Sequence, residues 1–386
     1  MKRKRVVLSR CMSYRLNEVE RAVQNILSEL EPLPLKPGSR VLLKPNLLSS
    51  SKGPDHPVNT RTEVVLACGR YLRHHYGSRL VIADSGGIGS YGRVEQTYRL
   101  MGVREVAEEL AADLVNLETL GLTDFESPVG KVLKRFRATA LLKDIDAIVN
   151  LPKLKTHLLT GLTGAVKNCL GLLPGSLKRD VHVVAPTGPT LGEALVDIYA
   201  TITPVLHIMD AVIAMEGPGP SQGQSRHVGW ILGAKDGVAL DLVASQLMGL
   251  KPQYVHTLRA AFQAGLGGFD PEDLELVGAD WSQITIRRFK PPYSRTMSAL
   301  FRLTPTRMTG RLLDWFSEAK PRIQEERCES CGLCVAACPA KALTLEGKRL
   351  NLDTRRCIEC YCCLEHCPNE GLRPPKGFLD RLFQRQ

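Results

Sequence analysis

The run Cys328-x-x-Cys331-x-x-Cys334-x-x-x-Cys338-Pro339 recurs as Cys357-x-x-Cys360-x-x-Cys363-x-x-x-Cys367-Pro368. Three thiolates in one tight loop can cap three irons of a cubane. The fourth cysteine lies too far round to close the same corner and ligates the other cluster. The spacing therefore predicts two [4Fe–4S] clusters of the bacterial ferredoxin type. Cys328, Cys331, Cys334 and Cys367 would hold one, and Cys357, Cys360, Cys363 and Cys338 the other. Pro339 and Pro368 turn the chain after each crossover ligand. Gly332 lets backbone amides approach the cluster sulfides, whose potential rises with hydrogen bonding. Structural zinc also uses paired Cys-x-x-Cys motifs, but not two runs of four ending in Cys-Pro. Cys362 and His366 fall at spacer positions and read as a bystander thiol and an exposed or packing ring. Such clusters move single electrons, so a redox partner protein is expected.

A second group of residues suits anion binding. Leu151-Pro152-Lys153-Leu154-Lys155-Thr156-His157 precedes Thr160-Gly161-Leu162-Thr163-Gly164-Ala165-Val166-Lys167-Asn168-Cys169-Leu170-Gly171. Lysines supply charge, and glycine-flanked amides at a helix start supply donors. A solvated basic loop is the competing reading. Lys44-Pro45-Asn46 and Asp84-Ser85-Gly86-Gly87 follow other apolar runs, and the latter alone reads as a strand-to-helix turn.

The elements that must position these groups alternate. Val6–Leu8, Arg40–Leu43, Leu80–Ala83 and Ala147–Val149 read as strands. Asn17–Leu30, with Val19, Val23, Ile26 and Leu30 in helical register, reads as a helix, as do Thr62–Leu72, Val94–Leu110 with a break at Gly102, and Val238–Leu250. Pro204–Val212 and Val228–Leu232 are further apolar runs. This alternation predicts an α/β fold, a mostly parallel sheet covered by helices, over residues 1–280. Ligands in such sheets collect at the carboxyl ends of strands, where the polar loops above stand. Residues 281–325 read as a basic connector whose Thr309–Ala319 stretch is amphipathic, with contact to an anionic membrane surface as an alternative use. Residues 326–372 form the α+β ferredoxin-like 2[4Fe–4S] domain, with Leu343 and Leu345 facing Leu350 and Leu352 across a hairpin at Glu346-Gly347. Residues 373–386 are a tail.

The 386 residues carry a formal charge of +11, much of it between Arg287 and Arg322. Such a patch could meet an acidic redox partner, anionic lipid or nucleic acid, or simply face solvent. An aromatic share of 5% argues against a base-stacking platform, so nucleic acid is not favoured. Nine of twelve cysteines lie between Cys328 and Cys367, and Cys11, Cys68 and Cys169 are scattered, which excludes a disulfide framework. There is no secretory signal pattern and no apolar run long enough for a transmembrane segment, so a cytoplasmic protein is expected. No Gly-x-Gly-x-x-Gly or Walker loop supports nicotinamide or nucleotide binding. Flavin sites lack one universal signature, and that cofactor stays open.

Val41–Asn46, Ala83–Gly87, Lys153–Gly171, Asp210–Val212 with Met215–Pro220, and Asp236–Asp241 together make the chain resemble the iron–sulfur proteins of the domain-of-unknown-function 362 family, over roughly residues 5–280. A ferredoxin tail is a common companion in that family. Gly237 stands where the family usually has proline, and Cys169 where it has a plain apolar residue. The resemblance implies a candidate set: Lys44, Asn46, Asp84, Lys153, Lys155, His157, Lys167, Asn168, Glu216 and Asp241. These are expected to line one pocket for a small polar or anionic substrate, with Lys44, Lys153, Lys155 and Lys167 binding negative groups. His157 would exchange protons, and Asp84 and Glu216 would orient the site or hold a metal. The expected function is an oxidoreductase whose clusters exchange electrons with that substrate. The alternative is an electron-relay or delivery protein that docks a partner or cofactor precursor.

Overall fold

The computed structural model describes residues 3–50, 53–87, 92–268, 271–284, 286, 288–292 and 320–373. The amphipathic stretch expected at Thr309–Ala319, most of the basic connector and the C-terminal tail lie outside the described residues.

The large unit is one mixed sheet. Its strands are β1 (Lys4–Arg10), β2 (Arg40–Pro45), β3 (Arg79–Ile82), β4 (Asp113–Leu114), β7 (Ala147–Leu151), β8 (Lys153–His157), β9 (Gly161–Thr163), β10 (Leu206–Glu216), β11 (Gln224–Ala234) and β12 (Leu274–Val277). A separate hairpin, β5 (Leu122–Glu126) with β6 (Arg135–Thr139), falls between β4 and β7. The strand order is β12-β1-β11-β10-β7-β2-β3-β4, with β8 joined to β10 and β9 to β8. Pairing is parallel around β2, β3, β4 and β7, whereas β11 runs antiparallel to both β1 and β10. Successive residues point to opposite faces. Val41 and Leu43 accordingly enter one core and Leu42 the other, and Val7 separates from Val6 and Leu8 in the same way.

Helices α1 (Leu16–Glu29), α2 (Thr62–Tyr76), α3 (Val94–Leu100) and α4 (Val103–Glu109) cover the first face. Val19, Val23 and Ile26, spaced three or four apart, are fully buried there. Gly102 separates α3 from α4 at φ 71°, where a side chain would be strained. Helices α5 (Ala165–Asn168), α6 (Leu177–Val184), α7 (Gly188–Ile202), α8 (Gly237–Leu247) and α9 (His256–Gln263) accompany the second face. No helix among the described residues is long and apolar enough to cross a membrane.

The small domain has its own core of Cys334, Leu343, Leu350, Cys363, Leu364 and Leu372. Its strands β13 (Arg322–Ile323) and β16 (Leu372–Arg373) pair, as do β14 (Leu343–Glu346) and β15 (Arg349–Leu352). Leu343 opposes Leu352 and Leu345 opposes Leu350, with Gly347 at φ 59° in the turn, which is the hairpin read from the sequence. The domains meet through polar and packing contacts. Gln222 Nε2 donates to the carbonyls of Leu364 and Leu372 at 3.1 and 2.9 Å, and Leu158 packs on the small-domain core. A Cβ on Gly87 would stand 2.8 Å from the Leu48 carbonyl and 3.1 Å from His366 Nε2, so glycine permits the close approach of that ring.

Candidate functional site: a cationic cleft beside two cysteine quartets

A cleft with about 530 Å³ of unfilled space, part of it open to solvent, lies where the carboxyl ends of β2 and β3 meet β8, β9, α5 and α6. The first pair at its floor is ionic. Lys44 Nζ lies 3.0 Å from Asp84 Oδ1, both buried, and also donates to the Pro45 carbonyl and to Asn168 Oδ1. Asp84 takes further hydrogen bonds from the Leu47 and Ser85 amides. Asn168 Nδ2 continues the network to Asn150 Oδ1 at 2.7 Å. A buried pair needs such complete satisfaction to offset desolvation. Gly171 allows the approach, because a Cβ there would fall 2.1 Å from Asp84 Oδ1 and 2.5 Å from Lys44 Nζ.

Above this pair the cleft gathers Lys155 from β8, Thr163 from β9, Lys167 from α5, and Lys178 and His182 one turn apart on α6. Lys155 Nζ donates to the Val58 carbonyl at 2.8 Å, and Lys178 Nζ to the Gly86 carbonyl. Burial lowers the Lys155 ammonium well below its ordinary range, and repulsion from Lys167 adds to this. Burial also lowers Lys167, with Glu365 opposing, and brings Lys178 down to about 8, with Asp84 opposing. The His182 ring falls to about 4 for the same leading reason. Cations crowded into a water-poor space hold their protons weakly until an anion arrives.

One wall comes from the other domain. Glu365, on the one-turn helix Cys362–Glu365, lines the same cleft. Its Oε1 lies 3.4 Å from His157 Nε2, a close polar contact outside hydrogen-bond geometry. His157 Nδ1 accepts from the Leu159 and Thr160 amides at 3.1 and 3.2 Å, which assigns the ring proton to Nε2. Burial lowers His157 to about 4. Burial would raise the Glu365 carboxyl, but His157 and Lys167 outweigh it and hold it below the usual carboxylate range.

The single pocket expected from the sequence is therefore only partly assembled. Lys44, Asn46, Asp84, Lys155, Lys167 and Asn168 meet in the cleft, with His157 at its Glu365 wall. Lys153 does not join them. Its Nζ is held 2.7 Å from Asp210 Oδ2 of β10 and 2.8 Å from the Tyr14 hydroxyl, in a separate buried network. Glu216, at the end of β10, is engaged by the Lys290 amide and ammonium instead. Asp241 accepts from the Ala165 and Val166 amides at 2.6 and 3.0 Å, capping α5 and so positioning Lys167 and Asn168 from behind. Asp84 and Glu216 are thus committed to different partners. Among the described residues no three His, Cys, Asp or Glu groups are placed to share one metal ion. Sequence reasoning missed Lys178, His182 and Glu365, and placed Thr163 in the anion-binding segment without making it a candidate ligand. The four-residue spacing of Lys178 and His182 was a legible signal of one helix face, whereas Glu365 was hidden in a cysteine spacer.

The cysteines form two quartets. A recess with about 370 Å³ of unfilled space, partly open to solvent, is lined by Cys328, Cys331, Cys334 and Cys367, and a similar one of about 310 Å³ by Cys338, Cys357, Cys360 and Cys363. Four thiols surrounding a void suit a multi-iron cubane better than a single tetrahedral ion, whose ligands must converge on one point about 2.3 Å away. Cys338 Sγ accepts from the Ala342 amide at 3.2 Å and Cys367 Sγ from the Gly371 amide at 3.1 Å, outer-shell donors of the kind that orient a ligating sulfur. Gly332 and Tyr361 hold equivalent left-handed positions before the helices Leu333–Ala336 and Cys362–Glu365. Cys362 is fully buried, and the His366 ring is packed, with Nδ1 2.6 Å from the Cys362 carbonyl.

Three comparisons bear on this arrangement. Residues 320–368 match the model of a 4Fe-4S dicluster domain, which supports iron–sulfur electron transfer. A thylakoid-associated protein of Synechocystis sp. is 33% identical over 269 residues, spanning 68% of this chain and 80% of its own. A crystal structure of a Thermotoga maritima protein aligns with 64% of this chain and 59% of its own length, at a TM-score of 0.37 and 13% identity, too remote to carry an argument. Residues 41–246 match the model described as a domain of unknown function (DUF362), and the chain belongs to that family.

Proposed function

We propose that this protein is an iron–sulfur oxidoreductase in which a polar or anionic substrate, bound in the cationic cleft, exchanges electrons with two [4Fe–4S] clusters. Each quartet would hold one cluster, and the clusters would supply single-electron transfer. The observation that carries the reading is the shared wall: Glu365 follows Cys363 by two residues and precedes Cys367 by two, yet it lines the same cavity as Lys155 and Lys167. A substrate there would be separated from the cysteine shell only by that short helix. Lys155, Lys167 and Lys178 would hold its negative groups. Lys155, whose ammonium is destabilised by burial, would exchange a proton with it, and His157 would hold Glu365 in place. Cys331 is exposed, which supports docking of the redox partner on the side of the first quartet. The cytoplasm is the proposed location. The thylakoid association of the cyanobacterial relative makes contact with a membrane surface the alternative, which vesicle co-sedimentation separates.

The test begins with anaerobic purification. It should give about eight irons and eight sulfides per chain, and a broad visible shoulder without resolved flavin peaks. Lys155→Met and Lys167→Met should keep the iron while losing ligand-dependent changes in the reduced electron paramagnetic resonance spectrum. Bleaching by either change would show that the cleft is not separate from the cluster shell and would defeat the proposal. The relay alternative would be favoured instead if small ligands never perturb the spectrum and a protein partner does.

A further inference from the structure

The cleft has more polar groups than its own contacts use, and their types restrict what fits. The Lys44–Asp84 pair satisfies itself, which leaves Lys155, Lys167 and Lys178 with Glu365 as the remaining carboxylate lining the cleft, Glu118 acting on Lys178 from outside it. Lys155 and Lys178 each spend one donor on a carbonyl, and Lys167 Nζ has no hydrogen bond among the described residues. Counting only the groups that line the cleft and taking all three lysines as charged, the surplus over Glu365 matches two negative charges on a ligand.

The neutral groups say something further. Asn46, Thr163 and His182 are 8%, 4% and 2% exposed, and all three line the cleft. Among the described residues Asn46 Oδ1, Thr163 Oγ1 and His182 Nδ1 have no hydrogen-bond partner. A buried polar atom left unpaired costs about 1–3 kcal/mol, so three at one site mark bonds reserved for an occupant. Asn46 Oδ1 is an acceptor, which a carboxylate or phosphate oxygen cannot satisfy. In the amide orientation placed here it is satisfied by an O–H or N–H on the ligand.

We propose that the cleft binds a small organic dianion that also carries a hydroxyl or amino donor, the lysines holding its charge and Asn46 and Thr163 reading its donor. This rests on the cleft being the substrate site proposed above.

Titration calorimetry on the anaerobic full-length protein with its clusters loaded tests the assignment, using malate, succinate and glycerol 3-phosphate. Malate or glycerol 3-phosphate should bind. Succinate, which lacks the hydroxyl, should bind about fivefold or more weakly than malate, since an unpaired buried acceptor costs about 1–3 kcal/mol. Binding of malate alone identifies a dicarboxylate, and of glycerol 3-phosphate alone a phosphate ester. Lys167→Met should abolish binding, and Asn46→Ala should erase the preference for malate over succinate. If the variants do not fold, the wild-type contrast between malate and succinate, with glycerol 3-phosphate, decides alone. Failure of all three probes at millimolar concentration overturns the assignment, as does equal binding of malate and succinate, or unchanged binding in a folded Lys167→Met variant. Binding that leaves the cluster spectrum untouched counts against the oxidoreductase reading and leaves the dianion site standing.

Discussion

Glu365 of the cysteine domain and His157 of the large domain face each other across 3.4 Å, both buried. The carboxylate projects among Lys155, Lys167 and His182 like a tethered anion, and it stands on the helix that carries Cys363. Replacing Glu365 with Gln should leave the iron content intact and tighten dianion binding at pH 7 by about threefold to tenfold, because a like charge at close range is removed. Calorimetry with malate reads the change. Weaker binding would mean that Glu365 acts mainly by keeping the lysines protonated.

The crossover of ligands gives a second expectation. Cys338→Ser should damage the cluster of the second motif more than that of the first, although Cys338 lies in the first motif by sequence. The cavity that Cys338 lines is shared with Cys357, Cys360 and Cys363. Iron quantification with electron paramagnetic resonance separates the two signals. Selective loss of the first cluster would refute the assignment.

Lys153 and Lys155 are two residues apart on one strand but should behave oppositely. Lys153→Met leaves Asp210 buried without its cation and should cost about 3–5 kcal/mol of stability. It should not change dianion affinity in the folded fraction. Lys155→Met should be the milder change for stability and the severe one for binding. Urea denaturation and calorimetry on the same preparations distinguish them.

Gly171→Ala should be destabilising by roughly 1–3 kcal/mol, since the new methyl meets the Lys44–Asp84 pair rather than open space. A lower thermal midpoint with unchanged iron content is expected.

Acid should weaken the large domain. Burial lowers His182 and His207 to about 4 from 6.5, so between those values the unfolded chain binds more protons than the folded one. Stability is complete above pH 6.5 and falls as the pH drops through this window, by about 1–2 kcal/mol per histidine at pH 5. Urea midpoints at pH 7 and pH 5 should show the loss, and His207→Gln should reduce it.

The chain itself dictates whatever depends on neighbours a few residues away. The two quartets follow from cysteine spacing, the break between α3 and α4 from Gly102, and the β14–β15 hairpin from alternating leucines around Gly347. The layered α/β architecture follows from strand and helix periods in turn. Partner choice was decided elsewhere. Lys153 and Lys155 look equivalent in sequence, and only β10, more than fifty residues on, supplies Asp210 to claim one of them. Asp241 looked like a substrate ligand until α8 brought it under the amides of α5. Glu365 joined the cleft because docking carried it some two hundred residues back along the chain to His157. A buried charge must find an opposite charge or a donor wherever the fold places one, and that pairing is a property of three-dimensional packing that no local spacing encodes.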